Sequence, residues 1–230
     1  MEQQPPSYIP AAGYARLTAL YDPVVSATMR ERTFRTRLVA QVLQSGPPTR
    51  ILDLGTGTGS LAIALAAAAP QAEIVALDAD ADALARAGRK PGAKGIQWLE
   101  GRSEELPFED QAFAALTCSL MFHHLGPSAK RVALGECLRV LRPGGMLHIA
   151  DWGPARDPLM RLAFFGIQLL DGFESTRAHA RGELPAMIAG AGFAEVHVRE
   201  RLRTCWGSLE LISAQRATSA QPPSAAQQSA

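Results

Sequence analysis

Gly55, Gly57 and Gly59 stand at alternate positions between a short apolar run and a run of strong helix formers, within the stretch 49–61. No other part of the chain narrows its possible folds so far. Ile51, Leu52 and Leu54, with a proline-rich entry and a glycine-rich exit, predict an inner strand of a parallel sheet. Glycines then let the backbone turn sharply and come close to a ligand where a Cβ would intrude. Residues 61–69 predict a helix that stops at Pro70. Its N-terminus offers unpaired N–H groups and a positive dipole end, so a ligand with an anionic group is expected against it.

The glycine spacing says which kind of ligand. A dinucleotide fingerprint runs G-x-G-x-x-G and holds a pyrophosphate at the helix. Here the order is G-x-G-x-G with Asp53 two residues before the first glycine. A carboxylate at that point repels a pyrophosphate and attracts an ammonium group. S-adenosylmethionine carries such a group on its amino acid end, and Asp53-x-Gly55-x-Gly57-x-Gly59 resembles the signature of the class I methyltransferases that use it. The resemblance implies cofactor contacts at Asp53, Gly55, Thr56, Gly57 and Gly59. Three other readings compete: a plain turn with an incidental aspartate, an NAD-dependent oxidoreductase, and a non-catalytic S-adenosylmethionine-binding accessory protein. The spacing and Asp53 count against the oxidoreductase.

Further along, the apolar run 73–77 predicts a second buried strand ending in Asp78. Asp78, followed by Ala79, lies near the distance at which nucleotide-binding sheets set a carboxylate for ribose hydroxyls, and two acceptor oxygens match two vicinal donors. Asp80 is better suited to N-cap a helix over 81–89. After a third strand at 96–100, the loop Gly101-Arg102-Ser103-Glu104-Glu105-Leu106-Pro107-Phe108 resembles the G-D-A-x-x-L-P-F segment of the ubiquinone/menaquinone-type methyltransferases. Arg102 departs from that pattern, which has an aspartate for the adenine amino group. An arginine has donors only, so Ser103 or a nearby backbone carbonyl is left to accept. Glu104 and Glu105 read as solvated loop charges.

A fourth strand is predicted at 114–118, with its carboxyl end, Cys118, beside the cofactor. The segment 118–125 then crosses the mouth of the sheet. It lacks the Asn/Asp-Pro-Pro-Tyr/Phe pattern of methyltransferases acting on DNA-base amines, and His123-His124-Leu125 resembles instead the His-rich corner of small-molecule members. Adjacent histidines are expected to point apart, which is poor metal spacing, so no metal is expected. His123 reads as a substrate-side base and His124 as packing at the next helix start. An amphipathic helix follows at 128–141. The run Arg139-Val140-Leu141-Arg142-Pro143-Gly144-Gly145 closely resembles the R-V-L-K-P-G-G turn of the same family. The fifth strand, 146–151, ends in Asp151 at the carboxyl edge, making Asp151 a rival base or substrate anchor, while mid-strand His148 reads as a satisfied core residue.

Residues 153–182 are too apolar for an idle loop and predict either a helical lid over the pocket or a helix docked on the sheet; as a lid, the segment implies an apolar or aromatic small-molecule acceptor beneath it. A helix at 184–191, an Ala191-Gly192-Phe193 turn and strands at 194–202 and 204–213 follow. The family resemblance implies a Rossmann-like, doubly wound α/β sheet of seven strands, parallel except for one near the C-terminus. The division is an N-terminal helical cap (1–48), in which Tyr21-Asp22-Pro23 resembles a cofactor-capping pair, a methyltransferase domain (49–215) and a disordered tail (216–230).

With 230 residues, 47% hydrophobic, and a formal net charge of +1, the chain has no basic block of the kind nucleic-acid binding needs. Arg30, Arg32, Arg35 and Arg37 read as a solvated helix face. Cys118, Cys137 and Cys205 are odd in number and far apart, which fits a reducing compartment and no disulfide framework. With neither a signal-peptide pattern nor a spanning run, a cytoplasmic protein without stable membrane insertion is expected. The sequence leaves oligomeric state open.

Overall fold

Ile51, Leu52 and Leu54 are buried on both faces, as an inner parallel strand requires. They belong to β1 (Arg50–Leu54), preceded by α1 (Glu31–Leu43). The structure, a computed structural model, describes residues 30–44 and 46–218. Tyr21-Asp22-Pro23, the rest of 1–29 and the tail at 219–230 lie outside the described residues.

After β1 come α2 (Ser60–Ala68), β2 (Glu73–Asp78), α3 (Ala81–Ala87), β3 (Gln97–Glu100) and β4 (Phe113–Ser119). A 3₁₀ turn (Phe122–His124) leads into α4 (Pro127–Val140) and the long strand β5 (Leu141–Gly153). Two helices, α5 (Pro158–Asp171) and α6 (Phe173–Ala180), fill the predicted lid segment, and α7 (Leu184–Gly190), β6 (Phe193–Arg203) and β7 (Ser208–Arg216) complete the chain. Asp80 caps α3 as expected, accepting from Ala83 N at 3.0 Å.

The seven strands lie in the order β3-β2-β1-β4-β5-β7-β6. All run parallel except β7, which pairs antiparallel with both β5 and β6. Because β7 slots between β5 and β6, the last strand is internal and its predecessor forms the edge. Burial follows this order: residues 208–214 of β7 are all buried, whereas β6 alternates along most of its length. Thr204 and Gly207 close the hairpin, Thr204 N donating to Gly207 O at 2.9 Å, so the strand expected from 204 begins at Ser208. It runs to Arg216, one residue into the stretch assigned to the tail, and Arg216 Nη1 donates to the carbonyls of Leu138 and Arg139 at 2.9 Å each.

The Arg142-Pro143-Gly144-Gly145 element differs from expectation in a similar way. It does not precede the strand but bulges from within it: β4 residue Phe113 pairs with Leu141, and Ala115 pairs with Met146. Gly144 takes a left-handed φ of 77° at the bulge. Arg139 ties this corner to the Leu106-Pro107-Phe108 loop, donating to Phe108 O at 2.7 Å and Leu106 O at 3.0 Å, while Leu106 N donates to Glu136 at 2.8 Å. The two family-like motifs are thus one clasp. Successive strands are added to one side of β1 up to β3 and to the other side from β4 on, and at this β1–β4 switch the strands' carboxyl ends open the crevice where such sheets take ligands.

Candidate active site

Asp53 is almost wholly buried, one residue before β1 ends. Its carboxylate accepts from Thr56 Oγ1 at 2.6 Å and from Thr117 Oγ1 at 2.7 Å. Thr117 is its register partner on β4, so the parallel pairing itself delivers the second hydroxyl. Burial pushes the carboxyl up to about 6, against the pull of both hydroxyls and the Arg35 guanidinium. A buried carboxylate with so little compensation favours a cation beside it.

Arg35 was expected on a solvated face, and the structure corrects this. The expectation fits Arg30, Arg32 and Arg37, which are exposed. Arg35 is half-buried on α1, pairs with Glu31, and is close enough to Asp53 for each to shift the other's ionisation. Its position depends on how α1 packs on α2 and β5, which helical spacing alone does not reveal.

The glycine loop is shaped by two side chains from elsewhere. A Cβ on Gly55, at φ 67°, would lie 2.4 Å from Met121 Cγ, and one on Gly59, at φ 75°, 2.4 Å from the Trp98 ring. Glycine is therefore required at both positions for space as well as for conformation. Asp78 Oδ2 accepts from Gly57 N at 2.6 Å and Oδ1 from Asp80 N at 2.9 Å. Asp78 thus holds the loop with both carboxylate oxygens, and burial raises its carboxyl above the ordinary range. Ala79 follows at the bend after the strand.

In the loop after β3, Arg102 Nη2 and Ser103 Oγ both donate to Glu104, each at 2.7 Å. Glu104 is therefore the anchor of this loop and not a free solvated charge. Ser103 is buried beside it, and Arg102 is turned to the surface. Cys118 is register partner to Leu54, with its thiol wholly inside the core. Only the backbone of Cys118 lies along the strand end that borders the loop.

A second polar group gathers at the carboxyl end of β5. His123 Nδ1 lies 2.8 Å from Asp151 Oδ1, which also accepts from Trp152 N at 2.8 Å. Since a carboxylate only accepts, Nδ1 carries the hydrogen of this bond. Burial alone would raise the Asp151 carboxyl, but His123, His179 and the two hydrogen bonds outweigh it and hold it below the usual range. Against this pair stand His179 of α6, wholly buried, and Asp171 at the end of α5. His124, also facing Asp171, sits in the 3₁₀ turn before α4. Lys130 is buried too and donates to Ser175 O at 2.6 Å and to Leu125 O. Burial lowers its amine to about 8. His179, Asp171 and Lys130 escaped the sequence reading because each sits within a helix whose docking face is decided by tertiary packing. His148 is the satisfied core residue expected, its Nδ1 3.0 Å from Gln41 Nε2.

The lid segment closes over this corner with one apolar face and leaves another open. Met160, Phe164 and Ile167 of α5 are buried, and the Phe164 ring stands 5.7 Å from that of Trp152. Leu159, Leu162, Phe165 and Leu169 of the same helix are exposed, as is Phe173. No helix among the described residues is long and apolar enough to cross a membrane.

This geometry agrees with what the chain is similar to. A family profile described as a methyltransferase domain matches residues 51–145, from β1 into the β5 bulge. The chain is 38% identical over 180 residues to a demethylmenaquinone methyltransferase of Thermus thermophilus, covering 70% of this chain and 80% of that protein. It is 34% identical over 184 residues to a malonyl-[acyl-carrier protein] O-methyltransferase of Methylococcus capsulatus, covering 79% of this chain and 64% of that one. Among solved structures, the YcgJ protein of Bacillus subtilis superposes with a TM-score of 0.65 at 18% identity, over 79% of this chain and 99% of that chain. The N-methyltransferase NodS of Bradyrhizobium japonicum, in complex with S-adenosyl-L-homocysteine, gives 0.59 at 20% identity, over 80% and 86%. The two structural likenesses speak for the fold: a seven-stranded sheet ending in an inserted antiparallel strand. With the sequence matches, they make this chain a methyltransferase that belongs to the class I S-adenosylmethionine-dependent enzymes of the ubiquinone/menaquinone-biosynthesis type.

Proposed function

We propose that this chain binds S-adenosylmethionine in the crevice between the glycine loop and β2, and transfers its methyl group to a small apolar or aromatic acceptor under the α5–α6 lid. The observation that carries the reading is Asp53, a buried carboxylate at the foot of the G-x-G-x-G loop whose own partners are two neutral hydroxyls. The cofactor's ammonium group supplies the charged hydrogen-bond donor that the two hydroxyls do not, and the Arg35 guanidinium, which acts on Asp53 without bonding to it, suits the cofactor's carboxylate. Gly55, Thr56, Gly57 and Gly59 line the approach. Asp78 and Ala79 bound the ribose position, and Ser103 and the Cys118 backbone border the adenine side. Arg102, held by Glu104, does not serve as the adenine acceptor.

The sulfonium of the cofactor already makes its methyl group electrophilic, so the protein's task is alignment of a nucleophile in a site shielded from water. The His123–Asp151 pair forms the polar end of the acceptor pocket and eases loss of a proton from a phenol, hydroxyl or acidic carbon. The inner face of α5, with Met160, Phe164 and Ile167 buried and the Phe164 ring turned toward Trp152, supports an apolar acceptor. The demethylmenaquinone methyltransferase among its relatives fits an acceptor with an apolar body.

Equilibrium titration tests the cofactor half of the reading. S-adenosylhomocysteine is expected to bind saturably with one equivalent per chain, and NADH not to bind. Binding of NADH in preference would favour the oxidoreductase reading and end this one.

A further inference from the structure

Neighbouring histidines usually diverge, and His123 and His124 were expected to. The 3₁₀ turn instead brings their rings together, with centroids 4.0 Å apart. Both face one carboxylate: His123 Nε2 lies 3.7 Å from Asp171 Oδ2, and His124 Nδ1 lies 3.6 Å from Asp171 Oδ1. These separations are too long for hydrogen bonds. Donors each about 2.0–2.2 Å from a shared tetrahedral ion stand roughly 3.3–3.6 Å apart, and each histidine comes near that separation from one of the two Asp171 oxygens. One ligand atom from each of the three residues lies within 4.8 Å of the other two.

We infer that His123 Nε2, His124 Nδ1 and an Asp171 carboxylate oxygen form a site for a divalent transition-metal ion of zinc type, with Asp151 as the group that orients His123. Three protein ligands leave a fourth position open, and half-exposed His124 keeps the corner accessible. The Asp151–His123 hydrogen bond at 2.8 Å is the outer-sphere support a ligating imidazole needs: it fixes the tautomer so that Nε2 faces the ion. Behind the three ligands, Asp151 Oδ2 and both ring nitrogens of His179 are buried without a hydrogen-bond partner among the described residues, so the wall behind His123 is polar throughout. Two carboxylates, Asp151 and Asp171, stand in this corner with Lys130, whose Nζ is held by the Leu125 and Ser175 carbonyls and by neither acid. Only the ion's use rests on the methyl-transfer reading: an acceptor oxygen at the open position would be held in its ionised form by the metal, so that His123 acts as ligand and not as a free base.

The test is made on the chelator-stripped full chain and needs no turnover. Titration with Co²⁺ is expected to give the intense visible absorption of a tetrahedral site, saturating at one equivalent per chain and bleached by Zn²⁺. His124→Ala and Asp171→Asn, both at partly exposed positions, should weaken Co²⁺ binding at least a hundredfold with an unchanged far-ultraviolet spectrum. Asp151→Asn should weaken it about 10–100-fold. His197→Ala, on the exposed strand β6, should bind as the parent does. No saturable visible band, or equal binding by His124→Ala and Asp171→Asn, would overturn the site. S-adenosylhomocysteine titration of the same samples separates the two readings, since loss of cofactor binding alone would leave the metal site standing.

Discussion

Replacing Asp53 by asparagine removes one buried charge and keeps the shape of the side chain. The account expects S-adenosylhomocysteine affinity to fall by about 1.5–3 kcal/mol, roughly ten- to more than a hundredfold, the worth of a hydrogen bond to a charged group. The melting temperature should not fall, because burial of that carboxylate opposes folding. Acidification divides the same two quantities. An aspartate in the unfolded chain titrates near 3.8 and Asp53 in the folded one at about 6, so between those values the folded state binds the additional proton. Asp53 therefore makes the unliganded protein more stable as pH falls through about 6. The cofactor's ammonium needs the ionised form, so its affinity should fall about tenfold for each pH unit below that point. Calorimetric titrations at pH 7 and 5 check both signs; equal affinity at the two would contradict the role given to Asp53. This residue was legible because a carboxylate before a glycine turn is informative by itself. Arg35 was not, since an arginine on an amphipathic helix looks the same whether it faces water or a buried acid.

Helix α5 carries apolar residues on two faces, and only one of them is used within the described residues. Phe164→Ala, which empties the space against Trp152, should cost about 3–5 kcal/mol in urea unfolding. Leu162→Ala, three-quarters exposed at 70%, should change stability by no more than about 0.5 kcal/mol. Comparable losses in the two variants would mean that the outer face is packed. That the segment 153–182 is ordered and apolar was legible through composition, but its division into two helices at Gly172 depends on a residue with φ 90° that only the folded chain displays. The same limit applied to the Arg142-Pro143-Gly144-Gly145 bulge. Proline and two glycines announce a turn, yet whether a strand resumes around it is settled by its partner β4.

The molecule's plan, five parallel strands spreading from β1 and a hairpin inserted at one edge, follows from features with long reach: apolar runs, glycine punctuation and helix stops. What local patterns do not encode is which surfaces meet. Thr117 reaches Asp53 through strand register, and Asp171, His179 and His123 converge only because α5 and α6 fold back over the carboxyl end of β5. Both polar clusters therefore lie along one edge of the sheet, one at the foot of the glycine loop and one beneath the lid, as transfer between a cofactor and an acceptor requires. A crystal structure of the chain with S-adenosylhomocysteine would examine this arrangement at its source. The amino group should lie about 3 Å from an Asp53 carboxylate oxygen, with the ribose hydroxyls on Asp78 and the sulfur directed toward the His123 corner. A ligand whose amino end lies away from Asp53, with another group seated at the foot of the glycine loop, would contradict the account.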